Sequence, residues 1–105
     1  MVEKISWNKR ADQKFGDMLT YLQVNASRTA AENFFNAVYS KINRLTEHPE
    51  TGRLARNSKT VRFVNIDKHR QMFYRVHGRT FYVCNFFRFT PRPDETSLLT
   101  PQYLP

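Results

Sequence analysis

Hydrophobic residues recur at helical spacing through the first half of the chain. Asn8 is a suitable N-cap, and the apolar positions after it are Ala11, Phe15, Met18, Leu19 and Leu22. This pattern predicts an amphipathic helix of about four turns. Gly16 weakens such a helix by roughly 1 kcal/mol relative to alanine, which indicates close packing against a neighbour.

A second helix follows a break at Asn25-Ala26-Ser27. Thr29 and Glu32 have the spacing of a capping box. The apolar stripe after them consists of Ala31, Phe34, Phe35, Val38, Ile42 and Leu45. The helix ends by His48-Pro49, because the residue before a proline is biased out of the helical region. Two helices joined by so short a link pack as an antiparallel hairpin.

The clearest strand pair lies within residues 67–94, where Gly78-Arg79 reads as the two-residue loop of a hairpin with glycine first in a type II′ turn. The register then pairs Val76 with Phe81, Tyr74 with Val83 and Met72 with Asn85, with Phe87 further along this apolar face. The opposite face pairs Arg75 with Tyr82, Phe73 with Cys84, Gln71 with Phe86 and His69 with Arg88. One face suits a core and the other suits an anionic partner, and a one-residue slip would exchange them.

The remaining segments complete an α+β pattern. Residues 2–7 and 61–66 are predicted strands, and the polar, basic segment 49–60 is predicted to be a loop. The predicted fold is an N-terminal strand, an antiparallel helical hairpin and a meander of about three antiparallel strands packed on the helices. The length of 105 residues suits a single domain over 1–105. Residues 93–105 are expected to form an irregular tail, because prolines interrupt sheet structure.

Positive charge is concentrated in the second half of the chain. Residues 50–92 contain ten lysines and arginines, eight of them arginine, against Glu50 and Asp67, so this segment carries a net charge of +8. Such a segment is expected to bind a polyanion, either nucleic acid or an acidic protein segment. Arginine is the cation best suited to bidentate phosphate contacts. A solvated basic surface that aids solubility is the alternative interpretation.

Several classes of protein are disfavoured by composition. Cys84 is the only cysteine, so an internal disulfide is excluded, and we interpret it as a packing residue. No stretch approaches the ~20 apolar residues of a membrane span, and the N-terminus lacks the apolar core of a signal peptide, so a cytoplasmic protein without membrane contact is expected. His48, His69 and His77 are too scattered to hold a metal, and no cofactor is expected.

An ordered set of short strings runs through about 95 residues of the chain. The strings are Ile5-Ser6-Trp7, Ala11 and Phe15, Tyr21-Leu22, residues 31–34, Leu45, Pro49, Gly52, Val61-Arg62, Tyr74-Arg75-Val76 and Phe89-Thr90-Pro91-Arg92. This set resembles the RelE/ParE superfamily of bacterial type II toxin–antitoxin toxins. The chain departs from the family pattern at Thr90, which replaces the usual acidic residue, and at the prolines flanking Arg92.

The resemblance implies a growth-inhibiting toxin that forms a hetero-oligomer with a cognate antitoxin protein, which wraps across the sheet and the helical hairpin. It implies one of two targets. The ribonuclease branch cleaves messenger RNA on the ribosome, and the gyrase branch poisons DNA gyrase without nuclease activity. A third interpretation is a basic binding module that has lost toxicity.

RNA cleavage without a metal needs a base that removes the proton of the ribose 2′-hydroxyl. It also needs cations that stabilise the phosphate charge in the transition state and an acid that protonates the leaving oxygen. The candidate catalytic residues are Arg75, Arg92, Arg70 and His69, and the candidate target-binding residues are Arg62, Lys68, Tyr82, Arg88 and Tyr103. Aromatic side chains interleaved with these arginines suit backbone clamping and base stacking, which favours the ribonuclease branch. No sequence motif marks a gyrase contact, so the gyrase branch stays open.

Overall fold

The computed structural model describes residues 2–89, which form one sheet and two long helices in the predicted order. The elements are β1 (Lys4–Trp7), α1 (Lys9–Asn25), α2 (Arg28–Glu47), a 3-10 turn (Pro49–Thr51), β2 (Arg53–Leu54), β3 (Arg62–Asn65), β4 (Arg70–His77) and β5 (Thr80–Arg88). The predicted α+β class is confirmed, with the helical hairpin between an N-terminal strand and a strand meander. The irregular tail expected at 93–105 lies outside the described residues.

The first helix begins at its predicted cap. Asn8 Oδ1 accepts a hydrogen bond from the backbone N–H of Ala11 at 2.7 Å and so satisfies one of the free donors at the start of α1. The expectation that Gly16 marks a close contact is wrong. A Cβ built on Gly16 would meet nothing within 4 Å, and the residue lies on the exposed side of the helix.

The second helix begins earlier than predicted. Ser27 is its cap, with the Ser27 hydroxyl accepting from the N–H of Ala30 at 3.0 Å. The predicted capping box at Thr29 is therefore wrong, because an equally good cap residue stands two positions before it. Glu32 instead forms an exposed ion pair with Arg28 at 3.3 Å.

The two helices cover one face of the sheet and bury a single core. The core residues are Ala11, Phe15, Phe34, Val38, Ile42, Leu45, Met72, Tyr74, Phe81, Val83 and Phe86. Phe35 belongs to the predicted stripe but is 44% exposed. It lies at the outer margin of the helical hairpin, with its ring centroid 5.8 Å from that of Phe15 and 4.8 Å from that of Tyr39.

The sheet has five strands in the order β1-β5-β4-β3-β2. β1 lies parallel to β5, and the remaining neighbours are antiparallel, as a meander requires. The segment predicted as a loop at 49–60 contains the 3-10 turn and the short strand β2. Arg53 pairs with Phe63 of β3, and the N–H of Ala55 donates to the carbonyl of Val61 at 2.8 Å. Two residues of this polar segment, Arg53 and Leu54, thus form the outer strand of the sheet.

The hairpin of β4 and β5 keeps its predicted register near the turn and loses it further away. Gly78 has a φ of 60°, as the first loop position of a type II′ turn requires, and the pairs of Val76 with Phe81 and Tyr74 with Val83 are confirmed. Beyond them the observed pairs are Phe73 with Asn85, Met72 with Phe86, Gln71 with Phe87 and Arg70 with Arg88. The predicted pairs of Phe73 with Cys84, Met72 with Asn85, Gln71 with Phe86 and His69 with Arg88 are wrong.

A β-bulge explains the change of register. Cys84 is the extra residue on β5 between Val83 and Asn85. The insertion turns Phe86 into the core and Phe87 to the opposite face, because successive side chains on a strand alternate. Next to the bulge, Asn85 Oδ1 accepts a hydrogen bond from the backbone N–H of Phe86 at 2.9 Å, so this N–H has a partner.

Candidate functional site

The face of the sheet away from the helices carries arginine and aromatic side chains. The Arg75 guanidinium carbon lies 4.4 Å from the centroid of the Tyr82 ring, a cation–π contact across the predicted pair of β4 and β5. Beside it lie the rings of Phe63, Phe73 and Phe87, here called the aromatic row. The Phe73 centroid is 5.3 Å from that of Phe63 and 5.1 Å from that of Phe87. Arg75 and Tyr82, two of the predicted site residues, thus lie on one surface.

The bulge residue Cys84 lies next to Arg75. Burial raises the pKa of the Cys84 thiol, and the positive charge of Arg75 opposes this effect without cancelling it. The Cys84 Sγ lies 3.7 Å from the carbonyl oxygen of Tyr82. A thiol held in its neutral form is a poor nucleophile, which supports the interpretation of Cys84 as a packing residue.

This pKa shift predicts slow alkylation of Cys84. The thiolate reacts and the thiol does not, so a raised pKa moves the rise in the iodoacetamide reaction rate to higher pH than for a free cysteine. Labelling followed by mass spectrometry across the neutral and alkaline range measures this directly. The same chain unfolded in urea is the control, and identical pH profiles for the two samples would contradict the prediction.

Arg70, a predicted catalytic residue, lies on the other face of the sheet. It is 6% exposed, its guanidinium carbon is 5.6 Å from the ring centroid of Phe34 in α2, and its Nη1 is 3.3 Å from Asp67 Oδ2. Its Nε has no hydrogen-bond partner among the described residues. The structure therefore does not bring Arg70 together with Arg75, because the two side chains project from opposite sides of β4.

The other predicted residues are dispersed. Lys68 and His69 are exposed in the turn before β4, where Asp67 Oδ1 accepts from the N–H of His69 at 2.8 Å. Arg88 is exposed at the end of β5, with its guanidinium carbon 5.3 Å from the ring centroid of Tyr21 in α1. Arg92 and Tyr103 lie outside the described residues. The predicted site residues that the structure describes thus divide among separate surfaces.

Arg62 lines a groove at the side of the sheet, at the end of the pairing between β3 and β4. This edge groove has a volume of about 290 Å³ and is lined by Pro49, Glu50, Lys59, Thr60, Arg62, Tyr74, Arg75 and Val76. Arg62 Nη1 donates to the carbonyl of Gly52 at 2.7 Å, which fixes one end of the guanidinium. Sequence reasoning missed Glu50 and Lys59 as site residues, since only the fold of the loop brings them beside Arg62 and Arg75.

The buried hydroxyl of Tyr74 holds one wall of the edge groove in place. It donates to the carbonyl of Pro49 at 2.7 Å and accepts from the N–H of Gly52 at 3.0 Å. Burial raises the pKa of the Tyr74 hydroxyl, so it stays neutral and able to donate at physiological pH. The 3-10 turn is thereby fastened to β4, and the Gly52 carbonyl is presented to Arg62.

A second concave surface lies on the helical hairpin. A groove of about 460 Å³ is lined by Leu19, Gln23, Arg28, Ala31, Glu32, Phe35 and Asn36. Within residues 2–89, no three side chains among His, Cys, Asp and Glu come together as metal ligands. None of the helices in this part of the chain is long and apolar enough to cross a membrane.

Comparisons with known proteins give a match to one family and several matches of fold. Residues 5–87 match the family model described as the ParE toxin of the type II toxin–antitoxin system parDE. No curated protein sequence matches the chain. The fold, in contrast, is similar to that of several solved structures.

A chain of the chromosomal ParDE toxin–antitoxin system from P. aeruginosa superposes with a TM-score of 0.70 at 14% identity, covering 85% of this chain and 98% of that one. The YoeB dimer from Staphylococcus aureus gives a TM-score of 0.61 at 11% identity, covering 86% and 99%. The YoeB/ParE toxin from Agrobacterium tumefaciens gives 0.60 at 17% identity, covering 84% and 99%. At these identities the structural matches establish the fold alone.

Proposed function

Because the chain belongs to the ParE family of toxins from type II toxin–antitoxin systems, we propose that it arrests bacterial growth by binding and inhibiting DNA gyrase, without cleaving RNA. Membership of this family implies an antitoxin protein as its partner. The proposed target is cytoplasmic, so the toxin acts in the cytoplasm. This proposal takes the gyrase branch, whereas the interleaved arginines and aromatics of the sequence favour the ribonuclease branch.

The separation of the candidate catalytic groups within residues 2–89 is the observation that carries the proposal. Arg70 and Arg75 stand five residues apart on β4, roughly 17 Å along the strand, and they project from opposite faces. His69 precedes Arg70 and is further still from Arg75. Groups that act on one phosphate must lie within hydrogen-bond reach of it, about 3 Å. This arrangement favours binding over phosphodiester chemistry.

The surface around Arg75 has the composition of a protein interface. Arginine and tyrosine dominate the residues that contribute most to protein–protein binding, and aromatic residues are enriched there. Arg75 and Tyr82 supply both types, and the partly exposed ring of Phe63 lies beside them, packed on the buried ring of Phe73. A rigid sheet face with these side chains fits a large protein target such as gyrase.

The proposal predicts that the purified toxin inhibits negative supercoiling of plasmid DNA by gyrase. In cells that express the toxin without antitoxin, arrest is expected with messages intact by 5′-end mapping. An Arg75→Ala toxin is the matched control and should inhibit supercoiling far less. Normal supercoiling, together with new 5′ ends in phase with codons, would overturn the proposal. Unimpaired growth would instead identify a non-toxic binding module.

One observation favours ribosome-dependent cleavage of messenger RNA as the second candidate. The edge groove brings the carboxylate residue Glu50 to a site also lined by Lys59, Arg62 and Arg75. A carboxylate base beside several cations is a combination that metal-independent RNA cleavage can use. If the toxin cleaves messenger RNA, Glu50→Gln should abolish the cuts in phase with codons. If it inhibits gyrase, neither the wild type nor the Glu50→Gln variant should produce such cuts.

A further inference from the structure

The loop that joins β2 to β3, residues 55–60, is basic and is held in shape by its own hydrogen bonds. The Ser58 hydroxyl accepts from the backbone N–H of Val61 at 2.9 Å, and the Ser58 N–H donates to the carbonyl three residues before it at 3.1 Å. The side chains of Arg56 and Lys59 are both exposed. The loop therefore presents two cations from a backbone that is already ordered.

A third cation stands at the base of this loop. Arg53 of β2 is exposed and pairs with Phe63 of β3, which pairs with Phe73 of β4. Because paired side chains point to the same side of a sheet, Arg53 projects from the face away from the helices, where Arg75 also lies. The three exposed cations Arg53, Arg56 and Lys59 are here called the basic edge.

The basic edge has no carboxylate partner within the described part of the chain. The ion pairs of residues 2–89 join Arg28 to Glu32, Arg70 to Asp67 and Arg79 to Glu3. None of them includes a cation of the basic edge. Cations held close together on a fixed backbone repel one another, so binding of a polyanion would relieve this repulsion.

We propose that the basic edge binds the phosphate backbone of duplex DNA, so that the toxin contacts gyrase and the DNA that gyrase holds at the same time. This inference rests on the proposed function, because gyrase works on duplex DNA and brings a bound toxin close to it. Duplex DNA carries one charge per about 1.7 Å of its axis, against about 3.4 Å for one strand. A compact group of cations gains most from the denser array.

The basic edge lies beside the surface proposed to bind gyrase without overlapping it. Two strand spacings and two residues of rise separate the Cα atoms of Arg53 and Arg75 by roughly 12 Å. Lys59 and Arg75 line the same edge groove. Arg75 and Tyr82 can thus contact the protein while the basic edge contacts phosphates next to it.

Single-stranded RNA fits this surface less well than duplex DNA does. Sites for single strands combine cations with aromatic rings on which bases stack. The ring of Phe63 packs on that of Phe73 with centroids 5.3 Å apart, and Phe73 is 7% exposed. Arg75 already covers one face of Tyr82. Duplex DNA needs no such rings, because its bases stack on one another and its phosphates lie outside.

Fluorescence anisotropy with a labelled DNA duplex of about 20 base pairs tests the contact without gyrase. Three phosphate contacts give a slope of about −2.7 for the logarithm of affinity against that of salt concentration, so affinity should fall about 40-fold between roughly 50 and 200 mM salt. A single-stranded RNA of about 20 nucleotides should bind at least about fivefold less tightly. No duplex binding at about 50 mM salt, or RNA bound as tightly as the duplex, would overturn the proposal.

Charge reversal assigns the contact to the basic edge. Arg56→Glu should weaken duplex binding by about tenfold, because it removes one phosphate contact and adds a repelling charge. Arg28→Glu makes the same change of charge at an exposed site at the start of α2 and should bind within about twofold of the wild type. Equal affinities of the two variants for the duplex would contradict the proposal.

Binding to purified gyrase separates failure of this inference from failure of the proposed function. The wild-type toxin should bind gyrase loaded with DNA about tenfold more tightly than gyrase alone, because the second contact is made within one complex. Arg56→Glu should bind both forms as the wild type binds gyrase alone. A toxin that binds neither form would overturn the proposed function, whereas equal affinity of the wild type for both forms would overturn the DNA contact.

Discussion

Replacement of Gly52 by alanine is expected to lower the free energy of unfolding by about 3 kcal/mol. A Cβ at this position would collide with the Tyr74 hydroxyl, and it would lie 2.9 Å from Tyr74 Cε1 and 3.0 Å from the carbonyl oxygen of Phe63. These neighbours are a buried ring and a strand backbone, which cannot move aside easily. Relief of the collision would break the hydrogen bonds from Tyr74 to the 3-10 turn.

Gly16 provides the matched substitution for this experiment. An added Cβ there meets nothing within 4 Å, and the position is inside α1, so Gly16→Ala should raise the free energy of unfolding by about 0.5 to 1 kcal/mol. Urea denaturation of both variants and the wild type measures the difference. Equal effects of the two substitutions would show that the Tyr74 hydroxyl does not constrain the turn.

Local patterns are sufficient to predict most of the fold. Helical spacing identifies α1 and α2, and the positive φ of Gly78 follows from the turn type that its position predicts. These features depend on residues close in sequence. The bulge at Cys84 cannot be predicted in this way, because it depends on which phenylalanine, Phe86 or Phe87, fills the space under the helices.

The face occupied by Arg70 is predictable from the sequence, whereas the edge groove is not. Side chains alternate along a strand, so Arg70 must lie on the same side as Met72 and Tyr74, which the hairpin register assigns to the core. Grouping Arg70 with Arg75 in one site disregards this alternation. Glu50 and Lys59 line one groove only because the 3-10 turn and the following loop fold back on β3, and no local spacing indicates such an arrangement.

Replacement of Arg75 by alanine is therefore expected to affect target inhibition, whereas replacement of Arg70, the other arginine of β4, is expected to affect stability. Arg75→Ala should weaken target inhibition by about 100-fold, the loss of roughly 2 to 4 kcal/mol typical of a central interface arginine. Its thermal midpoint should change by no more than about 5 °C, because the substitution removes a single cation–π pair with Tyr82.

Arg70→Ala should instead act on stability. The substitution removes the buried guanidinium that contacts Asp67 and the ring of Phe34. We expect the free energy of unfolding to fall by about 2 kcal/mol, which corresponds to a fall of roughly 8 to 16 °C in the thermal midpoint. Growth on induction and thermal melts of the purified variants separate the two effects. Arg79→Ala, which removes only an exposed ion pair with Glu3, should alter neither. Loss of arrest by Arg70→Ala at an unchanged thermal midpoint would mean that Arg70 contacts the target, and the division of β4 into a core face and a target face would then be wrong.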